Sequence, residues 1–311
     1  MKQTLKLVGS ILLLKLSLIA PHSQALFFDY TETKHPIVLV PGIFGFDSIG
    51  GVFDYYHDVI YQLERSGAEV YMASSVTAVN SGEVHGLELS NWIQANIPPG
   101  EKVNLFAHSQ GVQAARVAAS LIPDRIASIT SITGVNKGGI GGDFASTFIQ
   151  EGNLIDQFGT AMGNFIDWLS GNEVGSADGY AGFYALTPEG NAELNVNHGW
   201  GVDQVNACGT GPEDVDVYGH NVKTFSWVGT SKITNNFDPS DVLFGLTGLL
   251  FPGEHDGLVP RCSQLMGNVI YDDMKMNHMD AANQALGFTS IWLDPIYLYR
   301  GHANRLKRRG L

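Results

Sequence analysis

The segment VNLFAHSQGVQAARVAAS, Val103 to Ser120, decides how the rest of the chain is read. It opens on a nearly continuous apolar run, the kind that fills a strand buried on both faces. Ser109 then stands between two small residues, Ala107 before it and Gly111 after it, and an Ala-rich pattern of helical period follows. A serine ahead of a helix is, taken alone, an ordinary N-cap. A cap needs neither small residues on both sides nor an apolar strand in front. A sharp strand-to-helix turn needs both, and it presents the serine hydroxyl above the sheet with a helix N-terminus behind it. The pattern is A-x-S-x-G where G-x-S-x-G is usual, and it makes Ser109 a candidate nucleophile.

Around this turn, apolar runs alternate with helical patterns. HPIVLVPG reads as a strand and loop, FDYYHDVIYQLERSG as an amphipathic helix ending at Gly67, and EVYMASS as a strand. SGEVHGLELSNWIQANIPPG reads as a helix stopped by Pro98, Pro99 and Gly100. SQGVQAARVAASLIP is a helix closed by Pro123, and RIASITSIT is the next strand. KTFSWVGT and NVIYDD are weaker strands further on. Strand and helix alternating at this spacing predict an α/β fold with a mostly parallel sheet and right-handed crossovers. With no fixed-period repeat and no clear linker, residues 26–311 read as a single domain.

The alternation breaks after Thr133, where about ninety residues pass before the strand near Phe225, too many for a plain connection. Within them NLIDQFGTAMGNFIDWLSG places Leu154, Phe158, Met162, Phe165 and Leu169 on one helical face. Such a stripe is usually core. After the glycine-rich lead-in NKGGIGGD it is also what a flap over an apolar site would carry, and residues 138–200 are read as that lid region.

The first 25 residues carry Lys2 and Lys6, an apolar stretch from Leu7 to Ala20 interrupted by Lys15, and Ser23 and Ala25 at a cleavage-like spacing. This is a secretory signal pattern rather than a membrane span, for which the apolar run is too short. Its removal takes away three lysines and no acid, changing the formal charge from −13 to −16. A chain so acidic is not a nucleic-acid binder, nor does it bind an anionic membrane through a basic patch. Export to the periplasm and beyond makes a disulfide between Cys208 and Cys262, the only two cysteines, a reasonable expectation. It would contribute ~4 kcal/mol in the chain-entropy model. Two buried thiols are the alternative.

A nucleophilic serine needs a base and an acid to orient it, in the order Ser, Asp or Glu, His for a turn of this kind. His278 in MKMNHMD follows the strand NVIYDD, where the base should sit. Asp256 in PGEHDGLVP lies in the loop before that strand and is the expected acid. His255 is its neighbour, but as the base it would leave Asp256 no geometric role, and His302 falls in the final helix. A tetrahedral oxyanion needs two backbone N–H donors. Gln110, after the serine, supplies one, and Ile43 in VLVPGIFGFD supplies the other, with Gly42 allowing close approach.

LVPGIFGFD, the serine turn, DPSD, HDGLV, MNHMD and the ending HANRLK together resemble the secreted bacterial family I true lipases of the Pseudomonas, Burkholderia and Vibrio type. The resemblance runs over nearly all of the chain after the signal. It implies an α/β-hydrolase fold, triacylglycerol hydrolysis, and a triad matching Ser109, Asp256 and His278. It implies oxyanion donors at Ile43 and Gln110 and a disulfide matching Cys208 and Cys262. It also implies one structural calcium ion (Ca2+) beside the catalytic histidine. Asp238 and Asp280 match its carboxylate ligands, and Gln284 and Phe288 its carbonyl ligands. Mixed carboxylate and carbonyl oxygens suit calcium, although either aspartate would also serve as a helix cap. A dedicated foldase is the partner expected during secretion, and a monomer the expected state. The chain departs from the family where Pro41 replaces a usual histidine and Ala107 a usual glycine. It is also two residues shorter between DPSD and the catalytic aspartate. Proline brings a fixed φ and no N–H, so the departure at Pro41 bears on the oxyanion loop. A phospholipase, short-chain esterase or polyester hydrolase would use the same triad, and a catalytically dead lipid-binding hydrolase is the alternative of another class.

Overall fold

The computed structural model describes residues 29–43, 48–49, 53–73, 80–139, 179–235, 238–251, 253–284 and 287–311. The expected signal segment, the helix expected over 153–171 and most of the expected lid lie outside them. In chain order the described elements begin with β1 (Ile37–Val40), β2 (Ser48–Ile49), β3 (Phe53–Asp54), α1 (Val59–Glu64), β4 (Val70–Met72), α2 (Gly82–Asn96), β5 (Val103–His108), α3 (Gly111–Leu121) and β6 (Ile126–Ile132). There follow α4 (Gly179–Tyr184), α5 (Pro188–His198), β7 (Asp214–Val217), β8 (His220–Gly229), α6 (Pro239–Thr247), α7 (Arg261–Gln264), β9 (Asn268–Met274) and α8 (Pro295–Arg308).

The main sheet runs β4-β1-β5-β6-β8-β7, with β9 also paired to β8. All these pairings are parallel except β7 with β8. The register explains how β8 serves three neighbours. Its first residues pair with β7, its middle with β6, and its end, from Phe225 onward, with β9. The hairpin from β7 to β8 turns at Tyr218 and Gly219, both at positive φ (52° and 87°), the backbone that a two-residue turn between twisted strands requires.

Strands β1, β5 and β6 are buried at every position, as a central parallel sheet covered on both faces must be. One covering layer is α2 and α3, whose Leu89, Ile93, Val112, Ala115 and Ala119 join Val38, Val103, Leu105 and Ile129. The other is α1 and α8, which place Leu63, Leu298, Tyr299, Ala303 and Leu306 against Phe106, Phe225 and Trp227. His302 belongs to this second core, fully buried with its Nε2 2.7 Å from Thr130 Oγ1. It is a packing residue. Among the described residues no helix is long and apolar enough to cross a membrane.

One boundary differs from the sequence reading. FDYYHDVIYQLERSG is not helical from its start: Phe53–Asp54 pairs with Ser48–Ile49, and the helix begins only at Val59. Asp58, at φ 60°, breaks the regular backbone ahead of it, and the buried rings of Tyr55 and Tyr56 are turned into the sheet instead. The apolar periodicity was real, but it reports two tyrosines recruited by the strand ends rather than an extra helical turn.

The α2–α3 contact depends on Gly86. A Cβ there would fall far inside van der Waals contact with Val117 Cβ, the branched carbon that no rotamer can move. Alanine gains ~1 kcal/mol of helix propensity over glycine, whereas overpacking of this kind costs ~1–3 kcal/mol. Gly86→Ala is therefore expected to lower stability by ~1 kcal/mol or more in urea unfolding, with Val117→Ala recovering part of the loss in the double variant.

Candidate active site

Strand β5 ends at His108, and the chain turns at once into α3. Ser109 makes that turn with φ 56°, a left-handed conformation that costs an L-residue ~1–2 kcal/mol. It is held there by hydrogen bonds on both sides of its peptide: its N–H donates to the Ile132 carbonyl (3.1 Å) and its own carbonyl accepts from Val135 N–H (3.2 Å). The surroundings leave no space for larger neighbours. A Cβ on Gly111 would strike the carbonyl oxygens of Val40 and Pro41. One on Gly42 would lie 2.6 Å from Ser109 Cβ. Ala107, fully buried and paired with Val40 and Ser131, carries its methyl group without distorting the ladder.

The loop after β9 brings His278 to this serine. Its Nε2 is 2.9 Å from Ser109 Oγ, and its Nδ1 is 2.7 Å from Asp256 Oδ2. Asp256 comes from the loop ahead of α7, whose closed turn it organises itself: its Oδ1 accepts from the N–H groups of Leu258 (3.0 Å) and Val259 (2.7 Å). The turn depends on Gly257 at φ 101°, which lies against the Phe244 ring too closely for any side chain. The Asp256 carbonyl also accepts from His278 N–H at 2.9 Å, so backbone and side chains both fix the pair. Asp256 is completely buried, His278 and Ser109 nearly so. His255 is engaged elsewhere: its Nδ1 accepts from Gly257 N–H at 3.0 Å, a local turn contact.

The two expected oxyanion segments both adjoin Ser109. Gln110 opens α3 with its side chain buried and its Nε2 donating to the Asn80 carbonyl (3.0 Å). Gly42, next to Ile43, touches the serine across the end of β1. The sequence missed what stands behind them. His108 is buried next to Ser109 with its ring centroid 4.6 Å from that of His278. Burial, and then the neighbouring His278, hold it well below the usual imidazole range.

Of the residues expected to hold calcium, Asp238 and Asp280 are drawn together through Asn277. Asn277 Nδ2 donates to Asp238 Oδ2 (3.3 Å) and to Asp241 Oδ1 (3.0 Å), while Asn277 N–H donates to Asp280 Oδ2 (2.9 Å). Asp238 also caps α6 by accepting from Ser240 N–H at 2.8 Å, the helix-cap role the sequence allowed. Asp280 Oδ1 is buried without a hydrogen-bond partner. Burial first, with Asp238 and Asp241 adding repulsion against the hydrogen bonds of Asn277 and Thr234, pushes Asp280 up to about 7. Gln284 is buried with its carbonyl accepting from Gly287 N–H at 3.1 Å, and the Phe288 side chain is half exposed. Among the described residues no group of three His, Cys, Asp or Glu side chains is gathered tightly enough to hold a metal alone. An orphaned carboxylate oxygen among mutually repelling aspartates fits a cation that takes the rest of its ligands from carbonyls. Asp241 and Asn277 were not foreseen, although one closes the DPSD motif and the other precedes His278.

Cys208 and Cys262 form a disulfide, with Cα atoms 4.4 Å apart. It ties the loop before β7 to α7, just beyond the Asp256 turn. Lys137 completes the junction, its ammonium donating to the carbonyls of Asn206, Ala207 and Gly209 at 2.8–3.1 Å.

No protein-family model matches the chain. It is 43% identical to a triacylglycerol lipase of Vibrio cholerae serotype O1 over 289 residues, covering 91% of this chain and 90% of that one. It is 32% identical to a triacylglycerol lipase of Pseudomonas fragi, covering 91% of this chain and 99% of the relative. Among solved structures, the Staphylococcus hyicus lipase superposes with a TM-score of 0.58 at 17% identity, over 89% of this chain and 97% of that one. A metagenomic carboxyl esterase gives 0.59 at 15% identity, over 89% and 76%. At those identities the structural likeness establishes the α/β-hydrolase fold. The sequence likeness goes further, because it spans nine-tenths of both chains at 43% identity: this protein belongs to the bacterial triacylglycerol lipase family.

Proposed function

We propose that the protein is a secreted serine lipase that hydrolyses triacylglycerol ester bonds through an acyl-enzyme. The observation that carries this reading is the unbroken chain Ser109 Oγ, His278 Nε2, His278 Nδ1, Asp256 Oδ2, closed at 2.9 and 2.7 Å on a strained serine turn. In the first half-reaction His278 Nε2 takes the proton of Ser109 as Oγ attacks the ester carbonyl. Asp256 keeps the other ring nitrogen protonated and stabilises the imidazolium. The backbone N–H groups of Ile43 and Gln110 receive the oxyanion. His278 then protonates the leaving glycerol oxygen. Water, deprotonated by the same nitrogen, releases the fatty acid in the second half-reaction. A dead lipid-binding hydrolase finds no support in a site whose three hydrogen-bonding groups are already aligned.

The substrate class is supported by the relatives named above and by the apolar side chains of α6, where Val242 and Leu246 are well exposed at i, i+4 spacing. Ser109→Ala is expected to lower kcat on a triglyceride by roughly 10⁶. Activity of this variant near that of the wild type would contradict the assignment. Rates on tributyrin, triolein and phosphatidylcholine, followed above and below their solubility limits, separate a lipase from an esterase or phospholipase. A lipase turns over the triolein emulsion.

Calcium is part of the same proposal. Asp238 and Asp280, with the backbone carbonyls of Gln284 and Phe288, would hold it. The bound ion would supply the positive charge that neutralises the buried aspartates and steadies the loop that carries His278. Ligand bound only by the folded state stabilises it by about 3 kcal/mol at a hundredfold excess over Kd. A strong chelator is therefore expected to lower the melting temperature of the wild type and to leave that of Asp280→Asn unchanged. An identical melting curve with and without chelator in the wild type would remove the metal from the account. Export through the periplasm with the aid of a foldase, and a monomeric product, complete the proposal. They are checked by co-expression and by sedimentation.

A further inference from the structure

We infer that Tyr55 and His108 are positioning residues that hold the oxyanion loop and the catalytic-histidine loop in one fixed relation, an inference resting on the reaction proposed above. The starting point is Pro41. The ladder of β1 ends at Val40, which pairs with Ala107, and the next residue has no N–H to offer. The loop that must aim Ile43 at the oxyanion thus leaves the sheet at a residue with half the usual backbone anchorage.

Two consecutive tyrosines grip the chain on either side of that proline. Tyr56 Oη donates to the Val40 carbonyl at 2.7 Å, and Gly42 N–H donates to Tyr55 Oη at 2.8 Å. Both rings are buried, with centroids 5.0 Å apart. Tyr55 Oη is also 2.6 Å from His108 Nδ1, and His108 Nε2 is 2.9 Å from the carbonyl oxygen of His278. The donors can be assigned. A carbonyl only accepts, so His108 Nε2 carries the proton. In the neutral ring Nδ1 is then an acceptor, and Tyr55 must donate to it. The hydroxyl keeps a lone pair for Gly42 N–H, and each of these groups has a partner of the right kind.

The result is a directed chain, Gly42 N–H to Tyr55 O–H to His108 Nδ1, then His108 Nε2–H to the His278 carbonyl. It runs behind the nucleophile and joins the two loops that Ser109 needs on opposite sides. Burial and the nearby His278 both keep His108 neutral, which sustains the assigned direction and spares the imidazolium of the reaction a second charge. The chain lies outside the triad and the oxyanion donors, so its contribution is to placement. Misplacement of about an ångström at a reacting centre costs on the order of 10²-fold.

The test uses the full-length enzyme and a soluble short-chain p-nitrophenyl ester. Tyr55→Phe keeps the ring and removes the hydroxyl. His108→Gln keeps a donor near the place of Nε2 and loses the acceptor that Tyr55 uses. Each is expected to lower kcat by about 10- to 100-fold with KM within about threefold of the wild type. The double variant should be little worse than either single one, because both cut the same chain. A kcat within twofold of wild type in a folded Tyr55→Phe or His108→Gln enzyme overturns the inference, as do losses that multiply in the double variant. Should one single variant fail to fold, the kcat and KM of the other decide alone. A wild-type enzyme that hydrolyses no ester would instead sink the proposed function, so the two failures are distinguishable.

Discussion

The end of β1 is packed so tightly against the serine turn that neither Gly42 nor Gly111 has space for a Cβ. The rest of the site depends on this contact. It sets the left-handed φ of Ser109, because α3 can approach the carbonyls of Val40 and Pro41 only if the chain reverses sharply after His108. The same contact brings the loop carrying Ile43 beside Ser109. A strained residue persists only where its surroundings over-determine it. Here the hydrogen bonds to Ile132 and Val135, the parallel ladders on both edges of β5 and the buried α3 do so together.

His278 reaches Ser109 by a different kind of construction. Its loop has little sheet behind it and is fixed by polar groups instead: the Asp256 carbonyl and carboxylate, His108 Nε2, and the Asn277 side chain among Asp238, Ser240 and Asp241. Buried polar networks of this kind are stable only when every member is satisfied. Asp280 Oδ1 is the unsatisfied member, and the proposed cation would complete it on the loop that carries His278. On the far side the disulfide and Lys137 hold the segment that leads out of the Asp256 turn.

Much of this was legible in the sequence because it rests on local rules. Apolar runs marked β1, β5 and β6, prolines and glycines marked the ends of α2 and α3, and the small residues around Ser109 announced the turn. The order of Ser109, Asp256 and His278 pointed to three residues that the fold brings within hydrogen-bonding distance of one another. What escaped the reading was set by tertiary contacts. FDYY has helical periodicity, yet Tyr55 and Tyr56 are taken into the core to grip Val40 and Gly42, an arrangement no local pattern records. Asn277 and Asp241 gain meaning only once the loops carrying them meet. Ala107 and Pro41 both depart from the family pattern. The first proves to be a methyl group within a buried ladder, the second a break in backbone anchorage that neighbouring tyrosines bridge.

The central claim is that Ser109 is an activated nucleophile. The most direct measurement is reaction of the wild-type enzyme with a fluorophosphonate, followed by peptide mapping of the adduct. The account predicts stoichiometric labelling confined to Ser109, abolished in His278→Ala, where the serine loses its base. An unlabelled protein, or label carried on any other residue while Ser109 stays free, would contradict it.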